Sequence, residues 1–381
     1  MLNSIKLENF KCYRDLEIGF SSLTIFCGNN SVGKSTAIQA LAVPFQSKFQ
    51  DYVHLNGELV NLGSYKDIHS TDAVNEGDEH MAVVLDFSVD AVAVQFGYGF
   101  ASVDDQTLLG NKLQSNVEQR AQATLGEWYF SQVGFQFLEA ERFGPRNSFR
   151  LNENNDIIDW VGPRGEYTIE VIYKLLNNDR RVFPKDALDA RMHPDSENYN
   201  ILKNIEFWMS EISPGFSVSP ILVEGARISH ATFSTRNSTL QTKPINMGFG
   251  LSYALGIVTA LLVTKPKGLV VIENPEAHLH PRGQSYLGRL IALSALAGVQ
   301  VIVETHSDHL LNGIRVIARL RNEYIDGQFK VCFVSASDGK ADLTEISIGK
   351  KGELSSWPSG FFDQQAQDIR SIMKGEEVRN I

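Results

Sequence analysis

The chain contains the run Gly28-Asn29-Asn30-Ser31-Val32-Gly33-Lys34-Ser35-Thr36, which fits the pattern G-x-x-x-x-G-K-[ST] of a phosphate-binding loop. In such a loop the glycines let backbone N–H groups close around a triphosphate, the lysine reaches the outer phosphates and the hydroxyl residue binds Mg²⁺. Leu23 to Cys27 has the composition of a buried strand, and Ser35 to Val43 that of a helix that we expect to end at Pro44. A glycine-rich turn without a ligand is the alternative, but these flanking elements favour an ATP site formed by the residues from Gly28 to Thr36.

Composition and charge argue against several other classes of protein. With 381 residues the chain is long enough for one large α/β domain with insertions, or for two modest domains. The formal net charge of −10 argues against a broadly basic surface but is compatible with a local basic groove. Cys12, Cys27 and Cys332 form no C-x-x-C pair, which favours a reduced, cytoplasmic protein. The N-terminus has no secretory pattern and the apolar run 254–263 is too short to span a bilayer, so no membrane association is expected.

The C-terminal half alternates between strand-like and helix-like segments, which predicts parallel strands joined by crossover helices. Leu269 to Ile272 reads as a buried strand that ends at Glu273, and phosphate-loop ATPases hold Mg²⁺ with an acid in this place. Ser35 and Glu273 are therefore the candidate metal ligands. Other predicted elements are strands at 133–140 and 299–304, helices at 105–125, 170–177, 199–212 and 282–297, and hairpins at 81–100 and 330–348, the second around Asp338-Gly339.

Four sequence blocks resemble one group of ATPases. The block Ile5-Lys6-Leu7-Glu8-Asn9-Phe10-Lys11 resembles the start of the head domains of SMC, RecF and overcoming-lysogenisation-defect ATPases. The block Asn274-Pro275-Glu276-Ala277-His278-Leu279-His280-Pro281 resembles the E-P-E-A-H-L-H-P motif of the RecF and overcoming-lysogenisation-defect group. Ile302-Val303-Glu304-Thr305-His306-Ser307 resembles the strand and switch histidine of ABC-type ATPases, and Asn246-Met247-Gly248-Phe249-Gly250-Leu251-Ser252 a divergent ABC signature.

This resemblance, over roughly residues 1–150 and 240–370, implies an α/β P-loop NTPase fold of the ABC or SMC-head type, with an antiparallel β subdomain and a helical insertion. The expected division is an N-terminal ATPase lobe at 1–150, a helical insertion at 151–215 and a C-terminal ATPase lobe at 216–381. Within the first lobe, Arg142 and Arg146 flank a Gly-Pro turn. They either face phosphate or a partner, or lie in solvent or in salt bridges.

The resemblance also implies roles for individual residues. His306 would contact the γ-phosphate of ATP, and Gly248, Gly250 and Ser252 would bind the γ-phosphate held by a second subunit. The signature departs from the ABC pattern at Tyr253, where a glutamine is expected, so contact across a dimer is less secure than binding within the chain.

A second departure concerns hydrolysis. Asn274 stands where the usual ABC pattern has the glutamate that polarises water. An amide cannot take a proton but can orient water by hydrogen bonds, so hydrolysis should be slow unless Glu276 acts as the base. The catalytic candidates are therefore Asn274, Glu276 and His306.

The leading hypothesis is an ABC-type ATPase that dimerises head to tail around two ATP molecules and thereby holds or releases an effector or DNA. The closing stretch Trp357-Pro358-Ser359-Gly360-Phe361-Phe362-Asp363-Gln364 resembles the end of short prokaryotic ATPases from antiphage defence, such as the ATPase subunits of the Septu and PARIS systems. This resemblance implies a separate effector, a nuclease or a toxin-like protein, and a role in antiviral defence.

Three alternatives remain, two of them ATPases with other roles and one from another functional class. One is a RecF-like DNA-repair ATPase that acts on DNA directly, which the net negative charge weakens. Another is a transporter ATPase subunit, from whose signature this chain is distant. The third is a metal-dependent hydrolase, because H-x-H and H-x-x-H spacings can bind Zn²⁺. Its ligands would be His278, His280, His306 and His309 with Glu276.

Overall fold

The computed structural model describes residues 1–30, 32–102, 112–116, 119–153, 156–177, 182–183, 188–197, 199–235, 238–337 and 340–375. Its strands form two sheets of six strands and one of four. The predicted α/β fold with an antiparallel β subdomain is confirmed. Ser31 of the phosphate-binding loop and the Asp338-Gly339 turn lie outside the described residues.

In the central sheet, the phosphate-binding loop follows the carboxyl end of an interior strand, β3 (Leu23–Gly28). The strand order of this sheet is β16-β15-β3-β14-β13-β8, where β8 is Phe135–Leu138, β13 Leu269–Glu273, β14 Gln300–Glu304, β15 Phe329–Ser337 and β16 Lys340–Ser347. All pairs are parallel except β15 with β16. The register sets Glu273 beside Glu304 and Glu304 beside Phe26, so these strand ends meet next to the loop. The strands predicted at 269–272 and 299–304 are confirmed.

The second six-stranded sheet is antiparallel and N-terminal. Its order is β2-β1-β5-β6-β7-β4, where β1 is Leu2–Phe10, β2 Tyr13–Gly19, β4 Tyr52–His54, β5 Met81–Val89, β6 Val92–Phe100 and β7 Lys112–Asn116. The predicted hairpin of β5 and β6 is confirmed. A helix was predicted at 105–125. This prediction is correct for α4 (Gln119–Gly126) and wrong for residues 112–116, which form the strand β7. Residues 105–111 lie outside the described residues. In β7 the buried residues Leu113 and Ser115 alternate with exposed polar ones, a period of two that the overall polarity concealed.

Two hydrophobic cores lie on opposite faces of the central sheet, because successive strand residues point to opposite sides. Val270 and Ile272 of β13 belong to one core, and Leu269 and Val271 to the other. The first core packs against α5 (Thr168–Leu176), α6 (Ile201–Ile212), α7 (Phe249–Val263), α8 (Pro281–Leu296) and α9 (Asp308–Leu320). The second lies under the N-terminal sheet with α1 (Lys34–Gln46).

The remaining elements are smaller. The short helices α2 (Tyr65–Ile68) and α3 (Thr71–Asn75) precede β5, and α10 (Gln364–Lys374) follows the central sheet. The four-stranded sheet comprises β9 (Phe149–Arg150), β10 (Ser217–Val223), β11 (Ile228–Thr235) and β12 (Ser238–Thr242), with β9, β10 and β12 all paired to β11. Because α5 and α6 share their core with α7 and α8, the boundaries expected at 150 and 215 stay a proposal. Of the helices in the described ranges, none is long and apolar enough to cross a membrane.

Helix α1 continues through Pro44, so the helix end predicted at this residue is wrong. A proline has no N–H, so it cannot pair with the carbonyl of Ala40, four residues earlier. The hydroxyl of Tyr98 in β6 donates to that carbonyl at 2.8 Å and replaces the missing bond. Tyr98 and Ala40 are both buried, so the carbonyl would otherwise have no partner inside the core.

We expect Tyr98→Phe to reduce the free energy of unfolding by about 1–2 kcal/mol, because it leaves a buried carbonyl unpaired. The measurement is urea-induced unfolding of the wild type and the variant. In a Pro44→Ala background the same change should cost clearly less, since the restored N–H of residue 44 can pair with Ala40. Equal losses in both backgrounds would contradict this explanation of how α1 tolerates proline.

Candidate nucleotide-binding site

Gly28 and Gly33 hold the phosphate-binding loop in a conformation that side chains would prevent. Gly28 has φ +140°, and a Cβ there would lie 2.0 Å from the carbonyl oxygen of Val334 in β15. Gly33 has φ +108°, and its Cβ would lie 2.6 Å from Cys12 Sγ. The hydroxyl of Tyr13 donates to the Gly33 carbonyl at 3.1 Å. The loop is therefore pressed between β15 and the β1–β2 turn, which only glycine permits at both positions.

Lys34 and Ser35 stand at the start of α1 and point into the loop region. Lys34 is 4% exposed, and its ammonium donates to the carbonyls of Gly28 (3.1 Å) and Asn29. Burial lowers the pKa of Lys34, and the nearby Glu304 carboxylate opposes this shift. Ser35 Oγ donates to the Glu304 carboxylate, with distances of 2.8 and 3.1 Å to its two oxygens. A cation, a hydroxyl and an acid thus meet at one point.

Two acids lie side by side at the strand ends, although the sequence interpretation chose only one. Glu273 and Glu304 are register partners on β13 and β14. Burial, and then the charge of Glu304, raises the pKa of Glu273 to about 7. Burial also raises the pKa of Glu304, against the effect of Ser35 and Lys34. The signal for the missed Glu304 was present, since Ile302-Val303-Glu304 repeats the apolar run and terminal acid of β13.

An open pocket of about 380 Å³ contains five of the nine loop residues that were predicted to bind the nucleotide. Its walls include Asn30, Gly33, Lys34, Ser35, Thr36 and His306 from the prediction, together with Lys11, Gln39 and Glu304, which the sequence analysis did not assign. Gly28 and Asn29 line an adjoining pocket of about 390 Å³, which also contains His306 and residues 359–364. The side chain of Val32 is buried in the core under the N-terminal sheet, so only its main chain can face a ligand.

The structure brings Glu276 and His306 together, and Asn274 lies at the turn that leaves β13. The Glu276 carboxylate accepts hydrogen bonds from Thr305 Oγ1 and from the His306 N–H, both at 2.7 Å. Asn274 has a left-handed backbone with φ +45°, and its N–H donates to the Glu304 carbonyl at 2.8 Å. Its Oδ1 is buried and has no hydrogen-bond partner among the described residues. Both oxygens of Glu276 are thus engaged, while the Asn274 amide retains a free acceptor.

Arg142 fits neither of the two interpretations left open for it. It is 3% exposed, and its guanidinium donates to the main-chain carbonyls of Glu139 (2.8 Å), Glu273 (2.6 Å) and Asn274 (2.7 Å). Burial lowers the pKa of Arg142 to about 10. Arg146 is exposed, and its guanidinium lies 3.8 Å from the ring centroid of Phe143.

The signature residues lie apart from the phosphate-binding loop of the same chain. Gly248 and Gly250, at the start of α7, line a separate pocket of about 360 Å³ that also contains His278, His280 and Arg282. Ser252 lies elsewhere on α7, at a small cavity of about 30 Å³ beside Phe143 and Phe149. The structure therefore does not unite the three signature residues with Lys34 within one chain.

The metal-hydrolase alternative is wrong in its ligand set. Among the described residues, the group of three or more possible ligands that come within reach of one another is His193, Asp195 and Glu211, with their atoms within 4.8 Å. None of them belongs to the predicted set His278, His280, His306, His309 and Glu276. His193 Nδ1 accepts the Asp195 N–H at 3.2 Å and His193 Nε2 faces Glu211 at 3.4 Å, so both ring nitrogens already have a partner within the protein.

Comparisons with known proteins agree with this fold. A family model described as "AAA domain, putative AbiEii toxin, Type IV TA system" matches residues 23–312. A second, described as "Protein of unknown function (DUF3696)", matches residues 327–372. The OLD nuclease of Thermus scotoductus is 21% identical over 368 residues, covering 90% of this chain. The chain spans 66% of that relative, just under two thirds of its length.

Solved SMC heads share the architecture at low sequence identity. The Smc head domain with a coiled coil and joint from Pyrococcus yayanosii has a TM-score of 0.57 at 13% identity, covering 92% of this chain and 98% of that one. The Smc head domain from Pyrococcus furiosus, bound to the C-terminal domain of ScpA, has a TM-score of 0.54 at 15% identity, covering 98% and 99%.

At these identities the two structures establish the fold alone, which is that of an SMC head. The first family model spans more than half of the chain. The chain therefore belongs to the ATPase family described as "AAA domain, putative AbiEii toxin, Type IV TA system".

Proposed function

We propose that this chain binds ATP with Mg²⁺ in the pocket at the start of α1, dimerises around two nucleotides and thereby controls a partner effector in the cytoplasm. One observation carries the proposal. Lys34, Ser35, Glu304 and His306 line a single pocket, although they come from opposite ends of the chain. A cation for phosphate, a hydroxyl and a carboxylate for metal, and a switch histidine are the groups that phosphoryl chemistry needs.

The donor set fits Mg²⁺. Ser35 Oγ, the Glu304 carboxylate and the neighbouring Glu273 offer oxygen atoms only, which hard cations prefer. Ser35 and Glu304 would hold the ion, with Glu273 beside them. This extends the expected pair of Ser35 and Glu273. When bound, Mg²⁺ neutralises charge on the outer phosphates of the nucleotide.

Slow turnover follows from the residues around the phosphates. Asn274 cannot accept a proton, and its unpaired Oδ1 is buried. Glu276 is engaged by Thr305 and His306, so we infer that it orients the switch histidine rather than acting as the base. Slow hydrolysis would keep ATP bound for long periods, which suits a protein that changes state on ATP binding better than one that turns over ATP continuously.

Separation of the signature from the phosphate-binding loop supports a head-to-tail dimer. Gly248 is the N-cap of the 15-residue helix α7, so free N–H groups and the positive end of the helix dipole face its pocket. A γ-phosphate bound to a second copy would satisfy both. The two copies would then enclose two ATP molecules between the loop of one and the signature of the other.

An effector of nuclease or toxin type fits the comparisons best. The matched family is described by a toxin of a Type IV TA system, and one matched relative is named a nuclease. These names describe the related proteins. For this chain they support the proposal that nucleotide-driven closure holds or releases such an effector, or DNA, during antiphage defence.

Lys34→Ala should weaken ATP binding about 100-fold or more, because it removes a charge-assisted bond to the phosphates in a buried place. Isothermal titration of ATP with Mg²⁺ measures this. Lys48→Ala is a matched control, since the Lys48 side chain is 53% exposed and pairs with Asp156 at the surface. Unchanged affinity in Lys34→Ala would refute the assignment of the pocket.

Mg²⁺ affinity should depend on pH through Glu273. Because the pKa of Glu273 is raised to about 7, the carboxyl is mostly protonated below that pH and binds a cation only once ionised. The apparent Mg²⁺ affinity in the presence of ATP should therefore rise about tenfold from about pH 6 to about pH 8. Glu273→Gln should flatten this dependence, and titration of ATP alone in EDTA gives the baseline. An equal slope in wild type and Glu273→Gln would exclude Glu273 from the metal site.

Gly248→Glu should abolish ATP-dependent dimerisation while ATP binding within the chain stays unchanged. A Cβ at Gly248 meets no described atom within 4 Å and its φ is −64°, so the monomer accommodates the new side chain. The carboxylate would repel a partner's γ-phosphate. Light scattering with a non-hydrolysable ATP analogue measures the mass of the particle. Gly225→Glu, equally open but in a turn away from both pockets, is the control. Normal dimers of Gly248→Glu would place the interface elsewhere.

A further inference from the structure

We propose that Arg142 is a positioning residue that holds the turn Glu273-Asn274 in its working geometry and couples this turn to the signature helix α7 through Tyr253. The inference rests on the proposed function, because it concerns the same nucleotide site. It also accounts for the tyrosine that stands in place of the expected signature glutamine.

The contacts of Arg142 are directed at the main chain of the acid turn. One terminal nitrogen donates to the carbonyls of Glu139 and Glu273, and the other donates to the carbonyl of Asn274. A planar guanidinium fixes these oxygens relative to one another, which a single ammonium cannot do. Arg142 therefore determines where the backbone of β13 ends and how it turns.

The turn has an unusual backbone that Arg142 helps to hold. Asn274 adopts φ +45°, a left-handed conformation that is rare for residues other than glycine, although asparagine tolerates it better than most. Its N–H is tied to the Glu304 carbonyl on one side, while Arg142 holds its carbonyl on the other. The Glu273 carboxylate at the start of this turn also accepts the Ala140 N–H at 3.1 Å, and the Asn274 Oδ1 has no partner among the described residues.

Tyr253 connects the arginine to the signature helix. The Arg142 guanidinium lies 5.2 Å from the centroid of the Tyr253 ring, within the range of a cation–π contact. Tyr253 also contacts the His278 ring edge to face, with the ring centroids 4.9 Å apart and an angle of 76° between the ring planes. A Cβ at Gly250 would lie 2.4 Å from the His278 carbonyl, so helix and loop touch backbone to backbone. Displacement of α7 by a partner's nucleotide would thus move Tyr253, Arg142 and the acid turn together.

A buried arginine elsewhere in the chain shows what a purely structural role looks like. Arg191 is also 3% exposed and donates to the carbonyls of Leu261 (2.9 Å) and Thr264 (2.6 Å) at the far end of α7. Unlike Arg142, it forms an ion pair, with Asp189 at 2.8 Å. Within the described residues no carboxylate lies within 4.0 Å of the Arg142 guanidinium. Its charge is therefore left to act on the nearby acid turn.

The test measures Mg²⁺ dependence and turnover separately from nucleotide affinity and stability. In Arg142→Lys we expect ATP affinity in EDTA to stay within about twofold of the wild type, since Lys34 and its loop are untouched. The Mg²⁺ concentration for half-maximal ATP binding should rise about tenfold, and hydrolysis per bound nucleotide should fall by about 10- to 100-fold. Arg146→Lys, the same change in the same loop, should alter none of these values. Arg191→Lys should lower the melting temperature without changing Mg²⁺ dependence.

Coupling through Tyr253 is tested with a milder change. Tyr253→Leu should raise the Mg²⁺ concentration for half-maximal ATP binding, but less than Arg142→Lys does, and Tyr253→Phe should leave it unchanged. In the double variant Tyr253→Leu with Arg142→Lys, the rise should be smaller than the sum of the two single effects. Wild-type Mg²⁺ dependence in both Arg142→Lys and Tyr253→Leu would overturn the inference while leaving the ATP site intact. Absence of ATP binding by the wild type would instead refute the proposed function. If Arg142→Lys does not fold, Tyr253→Leu decides.

Discussion

Two neighbouring acids, Glu304 buried and Glu273 half-buried, are the constraint on which the rest of the site depends. Parallel register places Glu273 and Glu304 next to each other, and burial together with mutual repulsion raises the pKa of Glu273. Such a pair costs stability unless cations or hydrogen-bond donors compensate it. Lys34 and Ser35 compensate on one side, where they lie against Glu304. The pair is therefore better explained by the ligand it can hold than by the stability of the fold.

The N-terminal sheet lies against the central sheet beside the loop, and one buried side chain ties the two sheets together. Gln300, at the start of β14, bridges them with its buried side chain. Its Oε1 accepts the Leu2 N–H at 2.8 Å, and its Nε2 donates to the Leu2 carbonyl at 2.7 Å. The amide thus imitates a neighbouring strand and ties β1 to the central sheet. With Tyr13 and Cys12 packed on Gly33, this contact makes the N-terminal sheet one wall of the proposed nucleotide pocket.

The sequence predicts features that depend on neighbouring residues, and it misses those that depend on contacts between residues far apart along the chain. The strand β3 before the loop, β13 and the β5–β6 hairpin are encoded by short patterns, and the structure confirms these three elements. The helix end predicted at Pro44 was wrong because the donor that replaces its missing N–H, Tyr98 on β6, lies 58 residues along the chain from Ala40. Arg142 could not be assigned because its partners are main-chain carbonyls, which no side-chain pattern reveals. Glu304 was visible in the pattern, but only the strand order puts it closer to Ser35 than Glu273.

The two departures from the ABC pattern belong to one structural arrangement. A glutamine at position 253 would offer hydrogen bonds, whereas Tyr253 offers a ring face to Arg142 and an edge to His278. Asn274 lacks the carboxylate of a catalytic glutamate, and asparagine is among the few residues that tolerate its left-handed backbone. That backbone keeps the Asn274 carbonyl within reach of Arg142. In this chain the turn after β13 therefore holds the Asn274 carbonyl against Arg142. A glutamate at position 274 would add a third negative charge beside Glu273 and Glu304.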